Sequence, residues 1–259
     1  SEALFRRFGR YIESLNGRYI TAEDVGTTTR DMSYINMETR HVTGLPEAYG
    51  GNGDPSPVTG YGVYLAIKAA ANQAYGSDSL ANKRVLVEGA GKVGTYLLDY
   101  LAKEGAHLLV TDLNDRNRDY ATRHYGAEPV PLKDLPDTPV HIYAPCALGA
   151  TLNDDTIPRL QADIIAGAAN NQLADEERHM AMLEDRNILY TPDYMINSGG
   201  LTSVYSEWKG FDRSSAYQLT ENIYHTTRQI LTRASDEQIS TKHAADRMAE
   251  ERIEQIGAI

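Results

Sequence analysis

The segment Gly89-Ala90-Gly91-Lys92-Val93-Gly94 constrains the fold more than any other part of the sequence, because its glycines are spaced as GxGxxG. It follows the stretch 84–88, whose apolar centre Val85-Leu86-Val87 predicts a β-strand, and opens the stretch 91–104, whose apolar spacing predicts a helix. In such a turn the first glycine permits a tight bend, the second lets the backbone approach a pyrophosphate, and the third allows close helix packing. The segment therefore predicts a dinucleotide site at the helix N-terminus. A glycine turn that binds nothing is the alternative.

An acidic residue stands where a dinucleotide site needs one. Asp112 ends the predicted strand 107–112 and lies 23 residues after Gly89. A carboxylate there accepts hydrogen bonds from the adenosine ribose hydroxyls and opposes a 2′-phosphate. We therefore expect NAD rather than NADP as the cofactor, although Arg116 and Arg118 are close enough in sequence to leave NADP open.

Short apolar runs alternate with helical stretches from residue 61 onward, which is typical of βαβ units and a parallel sheet. The predicted strands are 84–88, 107–112, 140–144, 163–167 and 188–191, and the predicted helices are 60–75, 91–104, 115–125 and 175–186. Helices are also expected at 2–15 and near 28–38, and throughout the chain beyond Gly199-Gly200. The expected fold class is α/β, a Rossmann-type doubly wound parallel sheet with a partial second domain.

Composition limits the expected partners. The formal net charge of −11 disfavours nucleic acid and anionic membrane surfaces, because both would repel the chain. Cys146 is the only cysteine, so an internal disulfide is impossible and a reducing compartment is favoured. No apolar stretch has the length of a bilayer span, and no signal-peptide pattern or metal-ligand spacing is present. We expect a small-molecule partner, no metal and a cytoplasmic location.

Polar residues at three further places are candidates for chemistry. Asn170-Asn171 and Asn197 follow predicted strands, and open parallel sheets bind ligands at the carboxyl ends of their strands. Asp24 lies in a polar turn upstream of the glycine- and proline-rich stretch 44–60, which indicates a domain junction. Each also has a plain structural interpretation, the asparagines as turn residues and Asp24 as a turn residue or helix cap.

Six blocks of sequence resemble the Glu/Leu/Phe/Val amino-acid dehydrogenases, and among these the leucine dehydrogenases most. The blocks are ITAEDVGT (20–27), PSPVTGYGV (55–63), the glycine segment, APCALG (144–149), IAGAANNQL (165–173) and PDYMINSGG (192–200). They keep their order through essentially the whole chain, which is far more specific than the glycine spacing alone. The resemblance implies reversible NAD-dependent oxidative deamination of an L-amino acid to a 2-oxo acid and ammonia.

The resemblance also implies a catalytic domain and a dinucleotide-binding domain that face each other across a cleft. It implies residues 1–55 in the first, 56–205 in the second, and 206–259 as a helical segment returning to the first.

Asp24 matches the family's catalytic aspartate, which transfers protons together with a lysine. The positions matching substrate contacts are Ala22, Asn171, Leu201 and Val204. The positions matching cofactor contacts are Thr59, Gly89, Gly91, Lys92, Val93, Gly94, Asp112, Leu113, Ala144, Pro145, Cys146, Asn171 and Asn197. Cys146 has no sequence-marked histidine partner, so covalent catalysis is not expected.

Side-chain polarity bears on substrate choice. Leu201 and Val204 are three residues apart on a predicted helix and therefore share a face. A pocket walled by two apolar side chains would leave the side-chain carboxylate of glutamate unpaired and desolvated. Leucine, valine or another aliphatic amino acid fits first, while phenylalanine and tryptophan stay open. The sequence supports equally well the alternative that both residues simply belong to the hydrophobic core.

The two lysines that the family uses lie upstream of the part that matches residues 1–16, and none of the seven lysines here stands in such a segment. We therefore expect the amino-terminal part of the catalytic domain to be missing from this chain. The first hypothesis is an oxidoreductase of this family that forms a homo-oligomer. The alternatives are a non-catalytic NAD-binding or assembly protein and another Rossmann enzyme, such as a 2-hydroxy acid dehydrogenase.

Overall fold

A computed structural model describes residues 1–257. They form two compact units. The first holds Ser1–Val58 and Gly199–Thr220, and the second holds Thr59–Ser198 together with the described residues from Glu221 onward. The functional domain limits expected from the sequence stay a prediction. No helix within residues 1–257 combines the length and apolar character that crossing a bilayer demands.

Helices make up most of the regular structure. The described α-helices are α1 Glu2–Ser14, α2 Thr29–Asn36, α3 Ser56–Tyr75, α4 Lys92–Lys103, α5 Asp115–Tyr125, α6 Glu176–Asp185, α7 Asp193–Ile196, α8 Gly199–Trp208, α9 Arg213–Thr220, α10 Asn222–Glu237 and α11 Thr241–Gly257. The strands are β1 Arg84–Glu88, β2 His107–Thr111, β3 Glu128–Pro129, β4 Val140–Pro145, β5 Ala162–Ile165 and β6 Leu189–Tyr190.

The six strands form one sheet in the second unit, in the order β3-β2-β1-β4-β5-β6, and every neighbouring pair is parallel. The order reverses between β1 and β4, which makes their carboxyl ends the switch point where doubly wound sheets bind ligands. This arrangement confirms the expected α/β, Rossmann-type fold. The switch point lies directly at the predicted glycine turn, because β1 ends at Glu88.

Both faces of the sheet are covered, which explains the near-continuous apolar strands in the sequence. Val85 and Val87 point to one face and Leu86 points to the other, since side chains alternate along a strand. The first layer includes Leu97, Leu98 and Leu101 of α4 and Val63 and Ile67 of α3. The second includes Tyr143, Leu152, Ile157, Ile165 and Leu183. The two layers fix β1 and α4, and with them the turn that joins the two elements.

The elements differ from the sequence prediction in more than their end residues at three places, one of which is the unpredicted four-residue helix α7. The short strand β3 was not predicted, because Glu128 and Pro129 are exposed and give no apolar signal. The continuous helical tail expected beyond Gly200 is instead divided into four helices. It turns at Gly210, with φ of +77°, and at Gln238, with φ of +54°. Glycine marks the break between α8 and α9 in the sequence, whereas glutamine does not mark the break between α10 and α11.

The first unit is built around the pair α1 and α2. The two helices approach closely at Gly9, where a Cβ atom would lie 2.8 Å from the carbonyl oxygen of Ile35. Met32, Ile35 and Val42 form the small apolar cluster beneath α2. Thr28 caps α2 in a reciprocal arrangement with Asp31. The helix cap is therefore Thr28, so the alternative that Asp24 caps this helix was wrong.

Candidate functional site

The glycine turn has the geometry that the GxGxxG spacing predicts. Gly89 adopts φ of +92°, which a residue with a side chain rarely reaches. A Cβ on Gly94 would lie 1.9 Å from the carbonyl oxygen of Gly89, so only glycine lets α4 pack this closely on β1. Gly91 has no heavy atom within 4 Å of its missing Cβ, and it caps α4 without a side-chain hydrogen bond. The opening of α4 therefore fits an approaching pyrophosphate.

Asp112 is held beside this turn by three donors. The N–H of Ala90 donates to its Oδ2 at 2.8 Å, the N–H of Asn114 donates to Oδ1 at 2.7 Å, and Asn117 Nδ2 donates to Oδ2 at 3.1 Å. The neighbouring Leu113 is 86% exposed. The carboxylate is therefore fixed next to the opening of α4, where adenosine ribose hydroxyls would reach it.

Arg118 does not offer a site for a 2′-phosphate. Its guanidinium donates to the carbonyl oxygen of Asp112 at 3.0 Å and to the carboxylate of Asp115 at 2.6 Å. These contacts turn the positive charge toward the protein's own acceptors. These contacts favour NAD over NADP at this position. The sequence alone had left NADP open because of Arg116 and Arg118.

The end of β4 lies next to the same turn. Ala144 and Pro145 pair with Val87 and Glu88 of β1, and the N–H of Cys146 donates to the carbonyl oxygen of Glu88 at 2.7 Å. Burial raises the pKa of the Cys146 thiol to about 12. The thiol therefore stays protonated at neutral pH, which agrees with a wall residue rather than a nucleophile.

Two asparagine-bearing segments follow β5 and β6 at this edge of the sheet. Asn197 Nδ2 donates to the carbonyl oxygen of Ala168 at 3.1 Å and to Asn170 Oδ1 at 2.5 Å. Asn171 adopts φ of +52° and its carbonyl oxygen accepts from the N–H of Ala150 at 2.7 Å. The fold thus brings together the segments after β4, β5 and β6, as the strand ends predicted.

Gln172 fixes the segment that carries the asparagines. Its side chain is fully buried and donates through Nε2 to the carbonyl oxygens of Gly167 and Ala169. Its own N–H donates to Asp193 Oδ2 at 3.1 Å. The segment after β5 is therefore held both internally and by the residue that begins α7.

Sequence reasoning missed a buried polar cluster under the turn, made of Glu88, Tyr143 and Thr151. Glu88 is 6% exposed and accepts a hydrogen bond from the phenol of Tyr143, which in turn lies 3.3 Å from Thr151 Oγ1. Burial raises the pKa of Glu88, and the two hydroxyl partners only partly oppose that rise. The one sequence signal was an acidic residue ending the apolar run 84–88.

Of the remaining candidates in the second unit, Thr59 is half-buried in the first turns of α3, and Lys92 and Val93 begin α4, the first exposed and the second half-buried. The others lie in the first unit. Asp24 is exposed and belongs to a turn in which its Oδ1 accepts from the N–H of Val25 at 2.7 Å. Leu201 is 71% exposed and Val204 is half-buried on α8. Ala22 is half-buried near the turn. Leu201 is therefore not a core residue of its unit. The alternative interpretation, that Leu201 simply belongs to the hydrophobic core, was wrong for this residue.

Comparison with known proteins gives concordant matches along the chain. The family model described as Glutamate/Leucine/Phenylalanine/Valine dehydrogenase matches residues 50–115 and 107–256. Leucine dehydrogenase of Thermoactinomyces intermedius is 52% identical over 254 residues, which are 98% of this chain and 69% of the relative. Leucine dehydrogenase of Bacillus subtilis is 50% identical over 256 residues, covering 99% of this chain and 70% of the relative.

A solved structure agrees with these sequence matches. The crystal structure of L-tryptophan dehydrogenase from Nostoc punctiforme superposes with a TM-score of 0.85 at 41% identity. The match covers 100% of this chain and 74% of that one. By sequence and by fold, the chain belongs to the Glutamate/Leucine/Phenylalanine/Valine dehydrogenase family.

Proposed function

We propose that this protein catalyses the NAD-dependent oxidative deamination of an apolar L-amino acid. In this reaction the amino acid, NAD⁺ and water give a 2-oxo acid, ammonium, NADH and a proton. The observation that carries the proposal is the Asp112 carboxylate fixed 2.8 Å from the N–H of Ala90, beside the open end of α4. The leucine dehydrogenases that match the chain at 50–52% identity support it.

The residues of the second unit would hold the cofactor. The main-chain amides that open α4 bind the pyrophosphate, and Asp112 accepts hydrogen bonds from the ribose hydroxyls. The segments after β4, β5 and β6, with Cys146, Asn171 and Asn197, border the nicotinamide. When bound, NAD supplies the acceptor for the hydride that leaves the α-carbon of the substrate.

Asp24 would handle protons in the first unit. A carboxylate in this role accepts a proton from the substrate amino group or from the water that attacks the imine, and it must lie within hydrogen-bond reach of either group. The exposure of Asp24 supports this role, because its carboxylate is open to a ligand. Replacing it by asparagine is expected to lower turnover by about a hundredfold or more while leaving NADH binding intact.

The apolar side chains of Leu201 and Val204 support an aliphatic substrate. Both lie on α8, whose Ser203 and Ser206 are buried, so the apolar pair is directed away from that buried face. A glutamate side chain against this pair would lose its hydration without gaining a partner. We propose leucine or valine as the preferred substrate, with phenylalanine and tryptophan as the alternatives that pocket volume decides.

The direct test is the initial rate of NADH formation with leucine, valine, phenylalanine, tryptophan and glutamate. Leucine and valine are expected to give the highest kcat/KM, and Asp24→Asn should lower the rate by about a hundredfold or more with every substrate. Turnover of glutamate above the others would contradict the substrate assignment. NADH binding without turnover of any amino acid would instead support a non-catalytic NAD-binding or assembly protein.

We also propose that the protein is a cytoplasmic homo-oligomer. The single cysteine agrees with a reducing compartment. The exposed side chains of Leu4, Tyr11 and Leu15 on and just after α1 supply apolar surface that self-association would bury. Light scattering should give a multiple of the chain mass, and a single-chain mass at micromolar concentration would contradict it.

A further inference from the structure

The carboxylate of Glu88 is buried where an isolated charge is costly. Glu88 is the last residue of β1, directly before Gly89, and it points into the layer that holds Leu86 and Tyr143, since these alternate with Val85 and Val87. Its side chain is 6% exposed. Within residues 1–257 no lysine, arginine or histidine pairs with it, so its partners are two hydroxyl groups. A buried carboxyl group without a cation needs a reason to be there.

The hydroxyl partners connect Glu88 to the segment after β4. Tyr143, which is 1% exposed, donates from its phenol to Glu88 Oε2. The same phenol oxygen lies 3.3 Å from Thr151 Oγ1. The cluster of Glu88, Tyr143 and Thr151 therefore joins the end of β1 to a position eight residues beyond Tyr143.

Thr151 lies between two main-chain hydrogen bonds to the asparagine segment. The N–H of Ala150 donates to the carbonyl oxygen of Asn171 at 2.7 Å, and the N–H of Leu152 donates to that of Gln172 at 3.0 Å. Ala150 adopts φ of +63°, an uncommon conformation for a residue with a side chain. A strained turn of this kind keeps its shape only when its surroundings hold it, and the Thr151 hydroxyl is one such contact.

We propose that Glu88 is a positioning residue for the dinucleotide, which acts through Tyr143 and Thr151 on the segment 146–152 and on the main chain of Asn171. The proposal rests on the proposed function in taking NAD(H) as the ligand. Glu88 need not touch the dinucleotide in this role. It holds two of the segments that border the nicotinamide at a fixed distance from the glycine turn.

The charge of Glu88 gives this role a pH dependence. Burial raises the pKa of Glu88, and a pyrophosphate at the adjacent turn would favour the neutral acid further. The titratable groups that face it are Tyr143 on β4 and the Cys146 thiol that follows β4, and burial raises the pKa of both, so they stay neutral. Ionised Glu88 would therefore lack a compensating charge. Affinity for the dinucleotide is expected to fall as pH rises.

The first test compares two variants of Thr151 by fluorescence titration of NADH. Thr151→Val keeps the shape and loses the hydroxyl, and we expect it to raise the Kd for NADH about tenfold. Thr151→Ser keeps the hydroxyl and should bind within about twofold of the wild type. Equal affinities of the valine and serine variants would overturn the proposal.

A second pair keeps the test valid if Thr151→Val does not fold. Tyr143→Phe removes the phenol that bonds Glu88, and Tyr75→Phe removes a comparable phenol in the same unit, which donates to Asp163 Oδ2 at 2.8 Å. Asp163 stands near the start of β5, so this control lies at the opposite edge of the sheet. Tyr143→Phe should weaken NADH binding about tenfold, and Tyr75→Phe should leave it unchanged. Equal effects of the two changes would count against the proposal.

The pH dependence distinguishes positioning from a merely structural role. As pH rises through the raised pKa of Glu88, the wild-type Kd for NADH should increase, while Glu88→Gln, which keeps the hydrogen bonds without the charge, should stay flat. Parallel profiles of the two proteins would overturn the charge argument. If the wild type binds no NADH at any pH, the proposed function is wrong. If the wild type binds NADH but the variants behave alike, only the positioning role of Glu88 is wrong.

Discussion

Among single residues, Asp112 is the one that we expect to select which dinucleotide the turn accepts. Three donors hold its carboxylate, so it stands at a fixed place beside the opening of α4. Arg118, the nearby cation that could have compensated a 2′-phosphate, bonds Asp115 and the main chain instead. A 2′-phosphate would therefore meet a carboxylate without a matching cation from Arg118.

Removing this carboxylate should change both affinity and selectivity. Asp112→Ala is expected to raise the Kd for NADH roughly 10- to 100-fold, because charge-assisted hydrogen bonds to the ribose are lost. Its Kd for NADPH should change less, since the repulsion disappears as well. Fluorescence titration with both nucleotides measures this, with the exposed Asp119→Ala on α5 as the control. An unchanged ratio of the two Kd values would contradict the assignment of Asp112.

The buried acid Glu88 should also change how stability depends on pH. Because burial raises its pKa, the folded chain holds the Glu88 proton more tightly than the unfolded chain, where the glutamate pKa is about 4.3. The stability from this proton is complete below the unfolded pKa and is lost as pH rises through the folded pKa. Glu88→Gln does not titrate at this position. The melting temperature of the variant minus that of the wild type should therefore increase as pH rises from about 4. A difference that is constant with pH would show that Glu88 is not buried as described.

Among the elements, the junction of β1 and α4 contains glycines that we expect to serve different purposes, one for the fold and one for ligand binding. Gly94 serves packing, because its missing Cβ would lie 1.9 Å from the Gly89 carbonyl oxygen. The space beside Gly91 is empty of protein atoms within 4 Å, so the fold does not require glycine there. We therefore predict that Gly91 is required by the dinucleotide.

Two alanine variants should separate these roles. Gly94→Ala is expected to lower the free energy of unfolding by about 3 kcal/mol, since α4 must move away from β1, and to abolish NADH binding. Gly91→Ala keeps an allowed backbone, with φ of −74°, and should change stability by less than about 1 kcal/mol. It should nevertheless weaken NADH binding at least about tenfold, because its methyl group takes the pyrophosphate's place. Urea unfolding and NADH titration of both variants check this, and tight NADH binding by Gly91→Ala would contradict it.

At the scale of the whole molecule, sequence patterns predict what depends on neighbours along the chain. Strand β1 was predicted residue for residue, because both faces of the sheet are covered and its apolar run is unbroken until Glu88. The glycine turn and Asp112 followed from spacing alone. The break at Gln238 could not be predicted, because glutamine gives no turn signal.

The cluster under the turn could not be predicted either. Glu88 and Tyr143 are 55 residues apart, and they meet only because β1 and β4 are neighbours at the switch point of the sheet. Sequence spacing predicts contacts within a helix or between adjacent turns, whereas this contact depends on strand order. The roles of Asp24, Leu201 and Val204 came from family resemblance and stay predictions.

Ligand binding should stabilise the molecule as a whole. At a NADH concentration of about 100 times its Kd, linkage contributes about 2.7 kcal/mol, which raises the melting temperature by roughly 5–10 °C for a protein of this size. NADPH at the same concentration should raise it less, and Gly91→Ala, with its weaker binding, should show about half of the wild-type shift or less. Thermal unfolding with each nucleotide measures this. Equal shifts with NADH and NADPH would contradict the role of Asp112.

The most direct measurement is a crystal structure of the chain with NADH. The pyrophosphate oxygens should lie within hydrogen-bond distance of the main-chain amides that open α4, and the adenosine ribose hydroxyls should reach the Asp112 carboxylate. A dinucleotide bound elsewhere, or one whose ribose does not contact Asp112, would contradict the assignment of this turn as the cofactor site.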